Sequence, residues 1–154
     1  MSHPFRYYMQ VRYSECDAQK IVFNARYGDY IDLAATEFLH RICDAEQLPG
    51  GDFDYQVVKL TIEWSAPARY RDQLEISVQA SHLGNTSFTL TMHIHDVQTG
   101  RFLARGEMVG VVVHPETVEK MPIPAPMRQA LEQGGRGEFI DHAGIHTARE
   151  TAEA

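Results

Sequence analysis

The chain has 154 residues, with 44% hydrophobic and 23% charged side chains, the make-up of one soluble domain long enough to bury a core. Its formal charge of −7, from 14 basic and 21 acidic residues, excludes nucleic acid and anionic membranes as main partners but leaves room for a small phosphorylated ligand. No apolar run reaches the roughly 18 residues of a membrane span; the start of the chain lacks the pattern of a secretory signal, and two cysteines, Cys16 and Cys43, fit a reducing cytoplasm rather than a disulfide framework.

Phe5, Tyr7, Met9, Val11 and Tyr13 alternate with polar neighbours, which predicts a strand with one apolar face. Residues 15–23 break that pattern and read as a loop. From Ala25 the period changes: Tyr27, Tyr30, Ile31, Ala34, Ala35, Phe38, Leu39 and Ile42 form the strongest helical stripe in the chain, with Asn24 as its N-cap and Leu48-Pro49-Gly50-Gly51 as its stop. Strand-like alternation then runs through Val58–Trp64, Leu74–Ala80, Phe88–Ile94 and Phe102–His114, the last apolar on both faces and therefore central in a sheet. Prolines 115, 122, 124 and 126 mark an extended connection, residues 127–133 a short helix, and residues 134–154 a mostly disordered tail beyond a domain of residues 1–133. Short turns between successive strands imply an antiparallel sheet, and the striped helix must bury its stripe against it. The fold class is α+β, an antiparallel sheet wrapped around one long central helix, and the apolar character left on the sheet points to a homodimer.

One constellation carries chemistry. Asp17, read as a buried carboxylate, stands seven residues before Asn24, where free backbone N–H groups converge at the positive end of the helix. A carboxylate facing such donors is the minimum apparatus for attacking a carbonyl and holding the oxyanion that results. The rest of the loop has simpler readings. Cys16 is flanked by Glu15 and Asp17, which disfavour its thiolate. Glu15 reads as a solvated or structural carboxylate. His93 and His95 alternate on one strand face, but no third metal ligand can be named, so they read as part of a polar stripe and no metal is assigned.

The run Val11-Arg12-Tyr13-Ser14-Glu15-Cys16-Asp17-Ala18-Gln19-Lys20-Ile21-Val22-Phe23-Asn24-Ala25-Arg26-Tyr27 resembles the signature of the 4-hydroxybenzoyl-CoA thioesterase family, whose fold is the hotdog fold. The resemblance extends through Ala66-Pro67-Ala68-Arg69-Tyr70-Arg71-Asp72 and Leu83-Gly84-Asn85-Thr86-Ser87 to Ile123-Pro124. It implies an acyl-CoA thioesterase in which Asp17 is the nucleophile or general base and the backbone N–H at Asn24 polarises the thioester carbonyl. It also implies a site at a dimer interface, often within a dimer of dimers, and a hydroxyl near the substrate at Ser87. Coenzyme A belongs to the substrate, so no separate cofactor is expected. The chain departs from the family at Lys20, where glycine is frequent, and at Asn24, where histidine or an aromatic residue is frequent.

Lys59, Arg69 and Arg71 are candidates for the coenzyme A phosphates, since an acidic chain must place its cations where an anionic ligand sits. Phe23 and Tyr27 suit an aryl pocket, and equally a core or a dimer contact. Two rival functions remain: a hotdog acyl-CoA hydratase or dehydratase, disfavoured because no histidine lies between His3 and His40, and a non-catalytic acyl-CoA-binding module, disfavoured by Asp17.

Overall fold

A computed structural model describes residues 3–43 and 52–146. The Leu48–Gly51 stop signal lies outside the described residues. The elements are β1 (Phe5–Gln10), α1 (Arg26–Ile42), β2 (Asp54–Trp64), β3 (Gln73–Leu83), β4 (Ser87–Asp96), β5 (Phe102–Val113), α2 (Ala125–Gln133) and β6 (Phe139–Asp141). They build one six-stranded sheet in the order β2-β5-β4-β3-β1-β6. Every pairing is antiparallel except β1 with β6, which run parallel. Among the described residues no helix is long and apolar enough to cross a membrane.

Alternation decides which side of the sheet is covered. Phe5, Leu74, Ile76, Val78, Phe88, Leu90, Met92, Ile94, Ala104 and Met108 are buried, and the α1 stripe of Tyr27, Tyr30, Ile31, Ala34, Ala35, Phe38 and Leu39 is buried with them in one core. Where α1 passes β5 the sheet carries Gly106; a Cβ there would lie 2.3 Å from Cδ1 of Ile31, so the missing side chain lets helix and strand approach. As its double-sided pattern implies, β5 is interior, paired with β2 and β4. β2 is different. Among the described residues it has one neighbour and its other edge is open, with Val57, Val58, Leu60 and Trp64 exposed along it.

Three sequence expectations change. The first strand ends at Gln10, and Tyr13–Glu15 form a tight helical turn, because Glu15 is held back onto the Arg12 N–H. The tail expected from residue 134 is ordered as far as the described residues reach. β6 adds to the sheet edge beside β1, and Asp141 accepts hydrogen bonds from the N–H groups of Ala143 and His146. A three-residue strand is too short to leave a periodic signal; residues 147–154 lie outside the described residues. Third, β2 does not pair with β3, its successor in sequence. Residues 65–72 cross the end of the sheet from one to the other, and the loop after β1 packs against that crossing: Val22 N–H donates to Ala68 O at 2.9 Å and Tyr70 N–H to Lys20 O at 3.0 Å.

Glu15 clamps this loop to the helix. Glu15 is 5% exposed, and its side chain accepts from the Arg12 N–H at 2.7 Å, from the Arg12 guanidinium at 2.9 and 3.1 Å, and from the Tyr30 hydroxyl at 3.0 Å. Burial, reinforced by the adjacent Glu15, pushes the Tyr30 phenol well above its ordinary pKa, so it stays a donor. The Arg12 side chain is 71% exposed, so its ion pair adds little, while the buried acceptor cannot be lost cheaply. Glu15→Ala is therefore expected to cost about 3 kcal/mol in urea unfolding, and Glu15→Gln, which keeps an acceptor for Tyr30, about 1 kcal/mol. A second expectation concerns backbone strain. Val118, exposed in a turn closed by its N–H on His114 O, has φ +60°, a region that β-branched residues avoid. Val118→Asn should stabilise by about 1 kcal/mol and raise the melting temperature by about 2–4 °C in calorimetry.

Candidate active site

The loop between β1 and α1 is a small hairpin whose two limbs carry the two groups singled out in the sequence. Cys16 bridges Val22, Phe23 N–H donates to Glu15 O at 3.0 Å, and Asp17 N–H donates to Ile21 O at 2.8 Å. Asp17 sits at the head of the turn. Its Oδ1 accepts from Gln19 N–H at 2.8 Å and from Ile21 N–H at 3.4 Å, and its carbonyl accepts from Lys20 N–H at 2.9 Å. The remaining carboxylate oxygen has no hydrogen bond among the described residues. Contrary to the expectation of a buried group, Asp17 is exposed, and the buried carboxylate of the loop is Glu15. The reason is geometric: a turn-head aspartate that bonds its own loop projects outward, whereas Glu15 lies where the loop meets the helix.

Lys20 explains its own departure from the family pattern. Its φ is +63°, in the left-handed region that glycine enters freely. The turn takes the left-handed conformation here with a basic side chain at that point.

Asn24 is not the N-cap. Ala25 already has helical backbone angles and makes no side-chain cap, and Asn24 itself precedes it in a turn. The first helical amides are taken by backbone carbonyls, Arg26 N–H by Phe23 O at 2.8 Å and Tyr27 N–H by Asn24 O at 3.3 Å, which leaves a capping side chain nothing to do. The N–H groups of Asn24 and Ala25 have no backbone acceptor among the described residues. Asn24 helps to line a cleft of 240 Å³ together with Val22, Tyr27, Trp64, Ser65, Ala66 and Pro67.

The other predicted residues divide. Tyr27 is 1% exposed and belongs to the core: its hydroxyl accepts from Ala68 N–H at 3.0 Å, and its ring meets Trp64 edge-on with centroids 6.0 Å apart. It forms the floor of the cleft rather than an open wall. Phe23 is exposed, as are Arg69 and Arg71, which the crossing loop brings against the Asp17 turn through the Ile21–Arg69 bridge. Lys59 stands apart, exposed on the open β2 edge opposite Val109 of β5. Ser87 opens β4 at the end of the sheet remote from the loop, since it pairs with Val111, in turn opposite Gln56, whereas Trp64 pairs with Ala104. Within one chain Ser87 and Asp17 are not brought together.

Cys16 is half-buried, and burial, then Glu15 and Asp17, raise its thiol pKa; this removes the thiolate a nucleophile would need. His93 and His95 lie half-buried around Phe102, and no group of three metal-ligating side chains occurs among the described residues. Sequence reasoning missed Trp64 as a cleft residue. Its place at the end of an alternating run, directly before Ser65-Ala66-Pro67, was the available signal.

Known proteins resemble the chain in sequence and in fold. The chain is 31% identical over 130 residues to "Acyl-CoA thioester hydrolase YbgC" of Escherichia coli O6:H1, covering 84% of this chain and 96% of that protein. It is 25% identical to "Long-chain acyl-CoA thioesterase FadM" of Escherichia coli K12, over 81% of this chain and 95% of that one. Among solved structures, the BH1999 gentisyl-coenzyme A thioesterase superposes with a TM-score of 0.73 at 27% identity, covering 82% of this chain and 98% of that chain. SAV2348 from Staphylococcus aureus, solved in complex with CoA, shares the fold with a TM-score of 0.78 at 9% identity, over 86% and 84% of the two chains. The model of the thioesterase-like superfamily matches residues 11–131, and by that match and the 31% identity to YbgC the chain belongs to this superfamily.

Proposed function

We propose that the chain is an acyl-CoA thioesterase, in which an acyl-S-CoA and water give a carboxylic acid and CoA-SH. The observation that carries this reading is the clamped loop: Asp17, with one free carboxylate oxygen, on one limb, and the unaccepted N–H of Asn24 on the other, beside the Trp64 cleft. A thioester carbonyl is electrophilic and its thiolate leaves readily, so carboxylate attack or carboxylate-assisted water attack suffices without a nucleophile–base–acid triad. The N–H of Asn24, joined by that of Ala25 at the positive end of α1, would hold the negative charge that develops on the carbonyl oxygen. The reaction draws on water and these groups alone, coenzyme A being part of the substrate.

In this reading the site is completed by a second copy, with each sheet curled around its α1 as the central helix. The open edge of β2 supports this, since its exposed Val57, Val58, Leu60 and Trp64 are a poor surface for a free chain. Antiparallel pairing of two β2 strands about their middle brings residue 56 of one chain beside residue 62 of the other. The row Gln56–Val111–Ser87 of the partner then lies two residues along from Trp64, with the partner's Ser87 two strands in. Lys59 lies close to the symmetry axis. The same pairing covers Asp17, which gains the desolvation that a single chain does not provide. The acyl group packs against Phe23, Trp64 and the floor at Tyr27, and Arg69 and Arg71 face the coenzyme A phosphates. Two unpaired cysteines suit a cytoplasmic setting.

A thiol-release screen of aryl-, short- and long-chain acyl-CoAs tests the reaction. Asp17→Asn keeps an acceptor for Gln19 N–H, so it should fold normally while kcat falls by about 10²–10⁴-fold. Near-normal thiol release would remove Asp17 from the mechanism, and hydration of enoyl-CoA without hydrolysis would overturn the reaction class. Val58→Asp, which places like charges on both copies of the edge, should turn a dimer or pair of dimers into monomers in sedimentation velocity and abolish turnover; an active monomer would refute the shared site.

A further inference from the structure

We propose that the exposed aromatic pair Tyr13–Tyr70, with Lys20, Arg69 and Arg71 around it, is a platform for the nucleotide end of coenzyme A. Adenine stacks on Tyr13, and the phosphates are taken by the three cations. The proposal rests on the thioesterase reading and adds residues that reading does not need.

The first observation is aromatic surface with no core to belong to. Tyr13 is 72% exposed and Tyr70 36%, yet the rings meet edge to face with centroids 5.7 Å apart. This fixes Tyr13 while leaving most of its ring open, a stacking surface of the kind that purine bases use. The Arg71 guanidinium lies over the Tyr70 ring, 5.5 Å from its centroid, so the cation is held flat beside the pair.

The second observation is where the backbone spends strain. Of the described residues other than glycine, three have positive φ, and two of these are Lys20 (+63°) and Arg71 (+73°). Glycine would sit more easily at both. They occur on facing loops tied together by Tyr70 N–H on Lys20 O, by the Ile21–Arg69 bridge, and by Arg71 N–H on Val11 O at 3.3 Å. Strained backbone at two basic residues of one patch fits a ligand clamp.

The third observation is charge. Lys20, Arg69 and Arg71 form no ion pair among the described residues, although the chain carries −7. The nearby acids are engaged: Asp17 by the amides of Gln19 and Ile21, Asp72 by the amide of Arg69, and Glu15 by Arg12. Arg26, at the other end of the loop, is paired with Asp29 at 3.3 Å. Amide bonds leave the charges of Asp17 and Asp72 in place, so Lys20, Arg69 and Arg71 exceed the local carboxylates by one: a small positive excess beside the proposed site in an acidic chain, suited to a base-bearing polyanion and not to a long acyl chain.

The test separates nucleotide recognition from thioester chemistry. Adenosine 3′,5′-bisphosphate should bind the intact protein in calorimetric titration, and Tyr13→Ala or Arg71→Gly should weaken it by about 10-fold. Tyr13→Phe, which keeps the ring, should restore binding. For the best acyl-CoA of the screen the two weakening variants should raise KM about 10-fold, a larger loss than they cause on the matching S-acyl-pantetheine. Equal KM for acyl-CoA and S-acyl-pantetheine in the wild type, or equal losses on both in the variants, would overturn the platform while the thioesterase reading stands. Nucleotide binding that responds to these variants, without hydrolysis of any thioester, would uphold the platform and defeat the thioesterase reading.

Discussion

The buried carboxylate of Glu15 is the constraint on which the site depends. It gathers the Arg12 amide and guanidinium and the Tyr30 hydroxyl, while its backbone carbonyl takes the Phe23 amide. Tyr30 lies on the buried face of α1, so one residue fixes the loop to the helix from the side chain and closes the hairpin from the main chain. A buried charge with one partner missing is costly, and four donors meeting one side chain leave little room for the loop to shift. The turn head at Asp17 and the helix start at Asn24 are the two ends of what Glu15 holds.

The sheet order adds a second constraint. Because β2 pairs with β5 and not with its successor, residues 65–72 have to cross the sheet end, and there they meet the Asp17 turn. Trp64, Ala66, Arg69, Tyr70 and Arg71 are thereby delivered to one region by a topological requirement, although forty or more residues separate them from the loop they touch. The same arrangement leaves β2 open. The feature that builds half of the cleft also creates the exposed edge that a second copy would close.

The architecture was legible where periodicity was strong. The α1 stripe, the four long strands and the interior place of β5 follow from spacing alone, because a period of 3.6 or 2 records which side is buried. Asp17 and Asn24 were legible as positions, but their surroundings were not. Asp17 and Glu15 are two residues apart in one loop, and only the contact with Tyr30 decides which carboxylate is buried. Asn24 has the side chain of a good cap, yet backbone turns from Phe23 and Asn24 satisfied the helix amides first. β6 left no sequence signal, since its place depends on a parallel pairing with residues more than 130 positions away. Ser87 shows the remaining limit: its sequence motif places it near substrate, but the sheet puts it at the opposite end of its own chain.

That separation bears on how the fold divides its work. A single chain assembles a rigid loop, an unaccepted N–H and a shallow cleft, but leaves Asp17 in water, where an attacking carboxylate is well solvated and a developing oxyanion is screened. Rigidity and dryness are different requirements, and one sheet with one buried face satisfies only the first. Antiparallel closure of the β2 edges, as proposed, would satisfy the second without a new element, because it would carry the remote Ser87 end of each sheet toward the loop end of the other. Under the proposed dimer an exposed Asp17 and a distant Ser87 would be one fact seen from two places: the residues proposed to hold the thioester would be split across an edge that itself brings them together.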